Sequence, residues 1–393
     1  MVFLFRLSLL CISLGLAPLL QAAPLDIKVG FIAYHPDQGP VLSNLIPEPA
    51  DRGFKGAELG LNDNNTTGRF LKQTYSLTSK LAEQPEQITQ ITQAWLNQGI
   101  RLIVADLPAE YLAKVAVQVK QHRAMLINSG SYNDQLRTTE CLSNTLHTLP
   151  SRAMLTDALA QWSNSRRLKD WLIIKGSETN DLAYAAALQR SVKRFGINIV
   201  AEKTWDFDTD LRRTAQNELP LFTQTKEYDL VVVADERGDF GEYVMFNTWY
   251  PRPVAGTQGL TPVAWHRMVE QWGAAQLQSR FEKLSGRWMN NKDYAAWAAV
   301  RSIGEAVTQT RSNDAETLFN FITSDKFQLA GFKGRKLNFR QWSGQLRQPI
   351  PLIQPKSLVS HPPLEGFLHP VNELDTLGFD KPESNCSVTF ASH

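Results

Sequence analysis

Short, mostly apolar runs alternate with segments of helical periodicity from about residue 27 to about residue 256 of the chain. Arg101–Ala105, Trp171–Ile174 and Leu230–Ala234 have the length and composition of strands that are buried on both faces. Strands of this kind, separated by amphipathic helices, are typical of parallel βαβ units whose sheets are covered by helices on both sides. The alternation therefore predicts an α/β chain built from doubly wound sheets.

The alternation is interrupted once, which indicates two lobes rather than a single sheet. Residues 131–150 are polar, and a second series then begins with a helix that Ser151 can cap. We predict two doubly wound lobes joined by a hinge that the chain crosses near residues 143–150, 257–264 and 328–335. The predicted division is residues 24–145 and 262–330 in lobe 1, residues 146–261 and 331–360 in lobe 2, and residues 361–393 in a C-terminal tail.

Two further predictions concern helices, and one concerns the end of the chain. A helix that starts at about Arg52 is expected to end at Asn62–Asn65, because Asn and Asp side chains compete for backbone hydrogen bonds and favour turns. From Trp265 to about Phe321 the chain reads as mainly helical, and its apolar stripes are interpreted as core packing. The last seventy or so residues read as strands and loops interrupted by prolines.

The N-terminus has the pattern of an export signal. Arg6 precedes an apolar run from Leu7 to Leu20, and small residues follow at Ala22 and Ala23. The run is too short and too interrupted to be a good membrane-spanning helix, although a retained N-terminal anchor is the alternative interpretation. We predict that residues 1–23 are a signal peptide cleaved near Ala22 or Ala23. The mature protein is then expected in the periplasm, without membrane insertion.

The composition limits the possible partners. Lysine and arginine total 41 against 39 aspartate and glutamate residues, which gives a formal net charge of +2. This balance argues against a nucleic-acid partner, because such partners usually require a clustered basic face. A hydrophobic content of 43% in 393 residues is sufficient for two substantial cores.

The cysteines suggest one disulfide. Removal of the signal removes Cys11 and leaves Cys141 and Cys386. Two cysteines in an oxidising compartment favour a bond between the C-terminus and the middle of the chain. Two unrelated buried thiols are the alternative.

Catalytic signatures are not visible in the sequence. There is no dinucleotide-binding glycine motif, no phosphate-binding loop and no nucleophile elbow. The seven histidines are scattered without the spacing of metal ligands. We therefore predict a protein that is not an enzyme and that has no catalytic residues, no metal site and no cofactor.

Polar residues at the predicted strand ends are the candidate ligand-binding groups, because ligands of open α/β sheets bind beyond the carboxyl ends of the strands. Their mixture of hydroxyls and acids suits hydrogen-bonded capture of a small polar solute. Ser129–Ser131 can equally be an ordinary turn, and Asp235 with Glu236 can be read as an acid/base pair. The candidates are Tyr34, His35, Asp37, Asp106, Ser129, Gly130, Ser131, Asp235, Glu236, Thr257 and Gln258.

Several segments resemble type I periplasmic solute-binding proteins of ABC transporters, of the branched-chain amino acid receptor group. They are most similar to a branch associated with pyrroloquinoline quinone-dependent alcohol oxidation. The resemblance extends over essentially the whole mature chain, and the segments near the C-terminus are its most distinctive part. The segments are Asp51–Ala57, Asp63–Phe70, Leu146–Met154, Phe332–Arg335, Gly344–Ile350, Gly366–His369 and Glu373–Gly378.

The resemblance implies a receptor that captures a small polar solute between its lobes and delivers it to ABC permease subunits. It leaves open whether the solute is amino acid-like or related to alcohol oxidation, and whether the quinone or a lanthanide ion binds. The family holds the amino and carboxylate groups of its ligands with strand-end hydroxyls, backbone amides and an acid. This chain offers Asp106-Leu107-Pro108 at one such end, which departs from the usual hydroxyl-rich loop. The alternative function is a non-transport accessory or sensory protein that contacts a periplasmic dehydrogenase or a membrane sensor.

Overall fold

A computed structural model describes residues 24–37, 39, 47–206 and 211–391 of the protein. The predicted signal peptide, residues 1–23, lies outside the described residues. The structure confirms the predicted α/β class, with two parallel sheets that form two lobes. Within the described residues, no helix has both the length and the apolar character needed to cross a membrane.

Lobe 1 is built around a five-stranded parallel sheet with the order β2-β1-β3-β4-β5. Two apolar cores cover its faces, one under α1 and α8–α10 and the other under α2 and α3. Its strands are β1 (Leu25–Tyr34), β2 (Gln73–Ala82), β3 (Leu102–Asp106), β4 (Met125–Asn128) and β5 (Thr145–His147). Its helices are α1 (Phe54–Leu71), α2 (Pro85–Asn97), α3 (Ala109–Gln121), α8 (Ala274–Ser285), α9 (Asn291–Thr310) and α10 (Ala315–Ile322).

Lobe 2 repeats this plan with a four-stranded parallel sheet in the order β7-β6-β8-β9. One face packs on α4 and α5, and the other packs on α6 and α7. The strands are β6 (Asp170–Lys175), β7 (Asn198–Thr204), β8 (Leu230–Ala234) and β9 (Val254–Gly256). The helices are α4 (Arg152–Ser165), α5 (Thr179–Phe195), α6 (Leu211–Thr223) and α7 (Gly241–Val244).

The predicted end of the first helix is wrong, because α1 continues through Asn62–Asn65 to Leu71. The side chains of this segment bind neighbouring elements instead of their own backbone. Asn64 is buried, and its Nδ2 donates to the carbonyl of Val300 at 2.8 Å. Asn65 donates in the same way to the carbonyl of Tyr75 on β2 at 3.0 Å. Partners far away in the sequence thus remove the local competition that favours a turn.

The last part of the chain forms two small antiparallel sheets and short 3-10 turns. The sheet β11-β12-β13 contributes Leu337, Phe339 and Leu346 to the core of lobe 1, whereas Ile350 and Leu352 belong to the core of lobe 2. The chain therefore passes from one core to the other at residues 347–350, and the predicted division of the chain between the lobes stays a prediction. The strands are β10 (Thr261–Pro262), β11 (Leu329–Ala330), β12 (Lys336–Phe339), β13 (Leu346–Arg347), β14 (Leu352–Gln354) and β15 (Ser357–Ser360), and the 3-10 turns are Gln135–Arg137, Glu373–Thr376 and Lys381–Glu383.

The three crossings are hydrogen-bonded to one another. His147, at the end of β5, forms a parallel bridge with Gln345, and β10 pairs with β14. The buried guanidinium of Arg137 donates from Nε to Gln345 Oε1 at 2.9 Å and from Nη2 to the carbonyl of Leu149 at 3.0 Å. The polar groups of the hinge are thus hydrogen-bonded to one another.

The C-terminal tail connects the two lobes. On lobe 2, Asp157 accepts hydrogen bonds from the backbone N–H of Gly378 and from the guanidinium of Arg190. On lobe 1, Cys386 forms a disulfide with Cys141, with 5.5 Å between their Cα atoms. The predicted disulfide is confirmed in the structure, and it closes a loop with a sequence separation of 245 residues.

Replacing both Cys141 and Cys386 by Ala is expected to lower the free energy of unfolding by about 2–4 kcal/mol, because the unfolded chain then gains the entropy of an open loop. Urea denaturation followed by circular dichroism measures the change. A reductant should destabilise the wild-type protein by a similar amount and leave the double variant unaffected. Equal stability of the wild type in both conditions would contradict the expectation.

Candidate functional site

A cavity of about 800 Å³ lies between the two lobes, where the carboxyl ends of their parallel strands face each other. Lobe 1 contributes residues that follow β1, β3 and β4, together with the first turn of α9. Lobe 2 contributes the first turns of α4 and α5 and the loop after β8. This volume is within the range of small-molecule sites, and its walls come from both lobes.

Asp106 is the centre of the lobe 1 wall. Its carboxylate is buried at the end of β3, with Lys292 Nζ at 3.1 Å and both Arg52 Nε and His35 Nε2 at 3.4 Å. Gly130 permits this arrangement, because a Cβ at that position would lie 2.2 Å from Asp106 Oδ1. Three basic groups thus converge on one acid at the strand edge.

The helices α1 and α9 bring the two longest of these basic side chains together. Asp293, in a capping box at the start of α9, also accepts a hydrogen bond from the backbone N–H of Gly53 at 2.7 Å. This contact ties the N-terminus of α1 to the N-terminus of α9. As a result Arg52 and Lys292, which are far apart in the sequence, both reach Asp106.

The surroundings of Asp106 favour its charged form. Burial alone raises the pKa of this carboxyl, but the charges of Lys292 and Arg52 and the contact with His35 outweigh burial and hold the pKa well below its usual range. Asp106 therefore stays ionised and balances part of the positive charge around it.

Arg152 and Glu236 form the corresponding ion pair on the lobe 2 wall. Arg152 is placed in the first turn of α4 by the Ser151 cap. Its Nε and Nη2 donate to the two carboxylate oxygens of Glu236 at 2.7 and 2.6 Å, and Nη2 also reaches Asn180 Oδ1 at 3.0 Å. This two-pronged geometry fixes both side chains.

Asp181 lies beneath this pair, in the first turn of α5. The backbone N–H of Glu236 donates to Asp181 Oδ1 at 2.6 Å. Burial, together with the negative charges of Asp235 and Glu236, raises the pKa of Asp181 to about 7, although the backbone hydrogen bond acts in the opposite direction. Asp181 is thus a cavity-lining acid that is only partly ionised near neutral pH.

The backbone amides after β4 are already occupied. Both Gly130 and Ser131 donate their N–H groups to Asn128 Oδ1, at 3.1 and 2.8 Å. Ser129 donates its own N–H and its hydroxyl to the carbonyl of Ala105. These amides are therefore used in local hydrogen bonds, and they are not directed towards a bound carboxylate.

The sequence-predicted candidates separate into three groups. Tyr34, Asp37, Asp106, Gly130, Ser131 and Glu236 line the cavity, and His35 contacts it through Asp106. Ser129, Asp235, Thr257 and Gln258 are not among the cavity-lining residues. The carboxylate of Asp235 accepts four backbone N–H groups from the loop 238–241, which makes it a cap for that loop. Thr257 Oγ1 accepts the backbone N–H of Asp235, and Gln258 packs near Gly241.

Other residues that line the cavity were not among the candidates predicted from the sequence. Arg52 and Arg152 belong to segments that carry the family resemblance, so that resemblance was a usable signal. Tyr132 directly follows a predicted strand-end turn and also could have been found. Lys292 and Asp181 stand in the first turns of helices, and only the packing of the lobes shows that these turns face the cavity.

Over the described ranges, the side chains contain no group of three or more His, Cys, Asp and Glu residues arranged to hold a metal ion. Two acids of the cavity, Asp106 and Glu236, instead pair with Arg and Lys side chains.

Comparison with solved structures identifies the fold class. A branched-chain amino acid ABC transporter periplasmic ligand-binding protein from Burkholderia xenovorans superposes with a TM-score of 0.72 at 15% identity, over 92% of this chain and 99% of that one. A leucine-, isoleucine-, valine-, threonine- and alanine-binding protein from Brucella ovis, in a closed conformation, gives a TM-score of 0.66 at 13% identity, over 84% and 89%. A solute-binding protein of an ABC transporter from Rhodopseudomonas palustris, in complex with 3,4-dihydroxybenzoic acid, gives 0.61 at 13% identity, over 86% and 94%.

The chain thus has the two-lobe fold of type I periplasmic binding proteins, as the resemblance implied. No protein-family model matches the sequence, and no curated protein matches it either.

Replacing Asp106 by Asn is expected to lower the free energy of unfolding by about 3 kcal/mol, because Lys292 and Arg52 then lose a buried counter-charge. Urea denaturation at neutral pH measures this loss. Asp325→Asn, at an exposed position, is the control and should change stability by less than about 0.5 kcal/mol. The double variant Asp106→Asn with Lys292→Met should recover part of the loss, and no recovery would argue against the charge-balance explanation.

Replacing Asp181 by Asn is expected to stabilise the protein more at alkaline than at acidic pH. A carboxyl whose pKa is raised on folding destabilises the native state increasingly as the pH rises from about 4 to about 7, and the penalty is complete above that value. The variant should therefore gain about 1–2 kcal/mol more over wild type at about pH 8.5 than at about pH 5. Unfolding curves at both pH values test this, and a pH-independent difference would contradict it.

Proposed function

We propose that this protein is a periplasmic substrate-binding protein of an ABC transport system. It captures a small polar solute in the cavity between its lobes, closes by rotation about the three crossings, and presents the closed form to permease subunits. The observation that carries this proposal is the cavity itself, which is walled by the strand ends of both lobes and lined by fixed, charged side chains.

The distribution of these side chains supports binding by closure. The Asp106 cluster lies in lobe 1, and the Arg152–Glu236 pair is held on lobe 2. The charged side chains of each group form their ion pairs within one lobe, so the lobes can separate without leaving a buried charge unpaired. A solute that contacts both walls would then stabilise the closed arrangement by its differential affinity.

The association with quinoprotein alcohol oxidation rests on the sequence resemblance alone. In the structure the most distinctive segments surround the hinge and the tail rather than the cavity. Lys333 donates to Gln348 Oε1 at 2.6 Å, and both Arg340 and Arg347 pair with Asp375. We propose that the protein serves a periplasmic system of this kind, and that these segments identify the branch through its hinge and not through its ligand.

Ligand-induced closure is the property to measure. The mature protein would be incubated with amino acids, alcohol-derived acids, amines, the quinone and lanthanide ions, and then examined by calorimetry and small-angle X-ray scattering. We expect saturable binding of at least one class of solute together with a decrease in the radius of gyration. A fixed radius across the whole panel, together with capture of a dehydrogenase instead of permease subunits, would favour the accessory or sensory alternative.

Replacing Arg152 by Met should change the affinity for any solute that closes the lobes by at least about tenfold, because Glu236 loses both its fixed geometry and its counter-charge. The matched control is Arg123→Met, which removes an exposed ion pair with Glu316 outside the cavity lining. The control should bind like the wild type. Equal affinity of both variants would mean that the solute binds elsewhere.

A further inference from the structure

The charges that line the cavity are unbalanced. Seven acidic side chains face it against four basic ones. Residues 38 and 40–46, which adjoin this wall in the sequence, carry no ionisable side chain, so they cannot change the balance. The acids are Asp37, Glu48, Asp106, Glu110, Glu178, Asp181 and Glu236, and the bases are Arg52, Arg152, Arg237 and Lys292.

Each of the four bases already has an acidic partner. Lys292 pairs with Asp106, and Arg52 pairs with both Glu48 and Asp106. Arg152 is held by both oxygens of Glu236, and Arg237 pairs with Glu178 at 3.4 Å. An anionic ligand would therefore meet bases whose charge is already balanced by a carboxylate.

At the strand end after β4, the backbone amides that could bind an anion are also taken. The N–H groups of Gly130 and Ser131 are both directed to Asn128 Oδ1. The strand end at which the family resemblance would place a ligand carboxylate thus offers neither an unused amide nor an unpaired cation among the described residues.

The middle of the cavity carries a negative potential. Burial raises the pKa of the Tyr132 phenol, and the charges of Glu48, Glu236 and Asp106 raise it further. A phenol in such a place resists losing its proton, and the same potential would attract a positively charged group. Low-dielectric walls strengthen this attraction relative to water.

A buried hydroxyl without a hydrogen-bond partner lies near the same residues. The hydroxyl of Tyr184 is only 3% exposed and has no hydrogen-bond partner among the described residues. The charged groups and phenol that act on it are Glu236, Arg152 and Tyr132, which all line the cavity. A polar group of the solute that enters between them could pair with this hydroxyl as donor or as acceptor.

Aromatic rings extend the same preference towards the lobe 1 edge. Tyr34 lines the cavity, and its ring is 5.4 Å from that of Tyr111 in an edge-to-face arrangement. Exposed ring faces of tyrosine attract organic cations.

From these contacts we infer that the cavity takes a net-cationic organic solute, an amine or a quaternary ammonium compound, in preference to a carboxylate or a zwitterionic amino acid. The inference rests on the proposed function, because it names the solute class that would close the lobes. The excess acids, the paired bases and the occupied amides after β4 all favour the same charge.

A series of four probes with six-carbon chains tests the sign of the preferred charge. These are hexane-1,6-diamine, L-lysine, L-norleucine and adipate, titrated into the mature protein by calorimetry at low salt. We expect the affinity to rise at least about threefold with each added positive charge, and the rise to shrink at high salt. Tighter binding of norleucine or adipate than of the diamine overturns the inference, as does failure of both cationic probes to bind.

Variants at the cavity edge test whether the negative charge of the lining recognises the diamine. Asp37→Asn and Glu110→Gln remove two exposed acids of the lining and should each weaken diamine binding about three- to tenfold without changing stability. Glu282→Gln, an exposed acid on α8 outside the lining, is the matched control and should have no effect. If both edge variants bind the diamine like the control, the cavity charge is not what recognises it, and the inference fails.

The two proposals fail in different ways. If neutral or anionic solutes decrease the radius of gyration while the diamine does not, the receptor function stands and the cationic preference is wrong. If the diamine binds but the radius of gyration never changes with any solute, the cationic site stands and capture by closure is wrong.

Discussion

The arrangement of the two lobes depends on how the polar backbone of the three crossings is satisfied away from water. Segment 344–353 provides hydrogen-bond partners for this backbone, because it forms a bridge with His147 on one side and pairs with β10 on the other. Arg137 and Gln345 both donate to the carbonyl of Leu149. Since an unpaired buried group costs about 1–3 kcal/mol, these hydrogen bonds hold the junction together. The cavity exists because the hinge holds two strand edges opposite each other.

The tail adds a second constraint to this hinge. Asp375 pairs with Arg340 and Arg347, Asp157 holds Gly378, and the disulfide fixes Cys386 to lobe 1. The tail therefore contacts both lobes on its way to the C-terminus. The most distinctive segments of the family resemblance lie in the hinge and the tail, whereas Arg52 and Arg152, from two other segments, line the cavity.

The sequence was most informative where a residue's role is decided by its immediate neighbours. The buried strands, the Ser151 cap and the strand-end acid Asp106 were all found because apolar runs and polar ends stand next to each other in the chain. It was misleading where a distant partner changes the role of a polar side chain. Asn64 reads as a helix-ending residue until Val300 accepts its hydrogen bond, and Asp235 reads as a free acid until four amides of the following loop cap it.

By itself the sequence determined the α/β class, the two-lobe division and the cysteine pair, because hydrophobic periodicity and residue type are local properties. Only the tertiary structure decided the charge of the cavity. Lys292, Arg52 and Asp106 come from three separate segments, and their pairing depends on the contact between the starts of α1 and α9. Electrostatic interactions depend on distance in space and on burial, which are properties of the folded chain and not of sequence order.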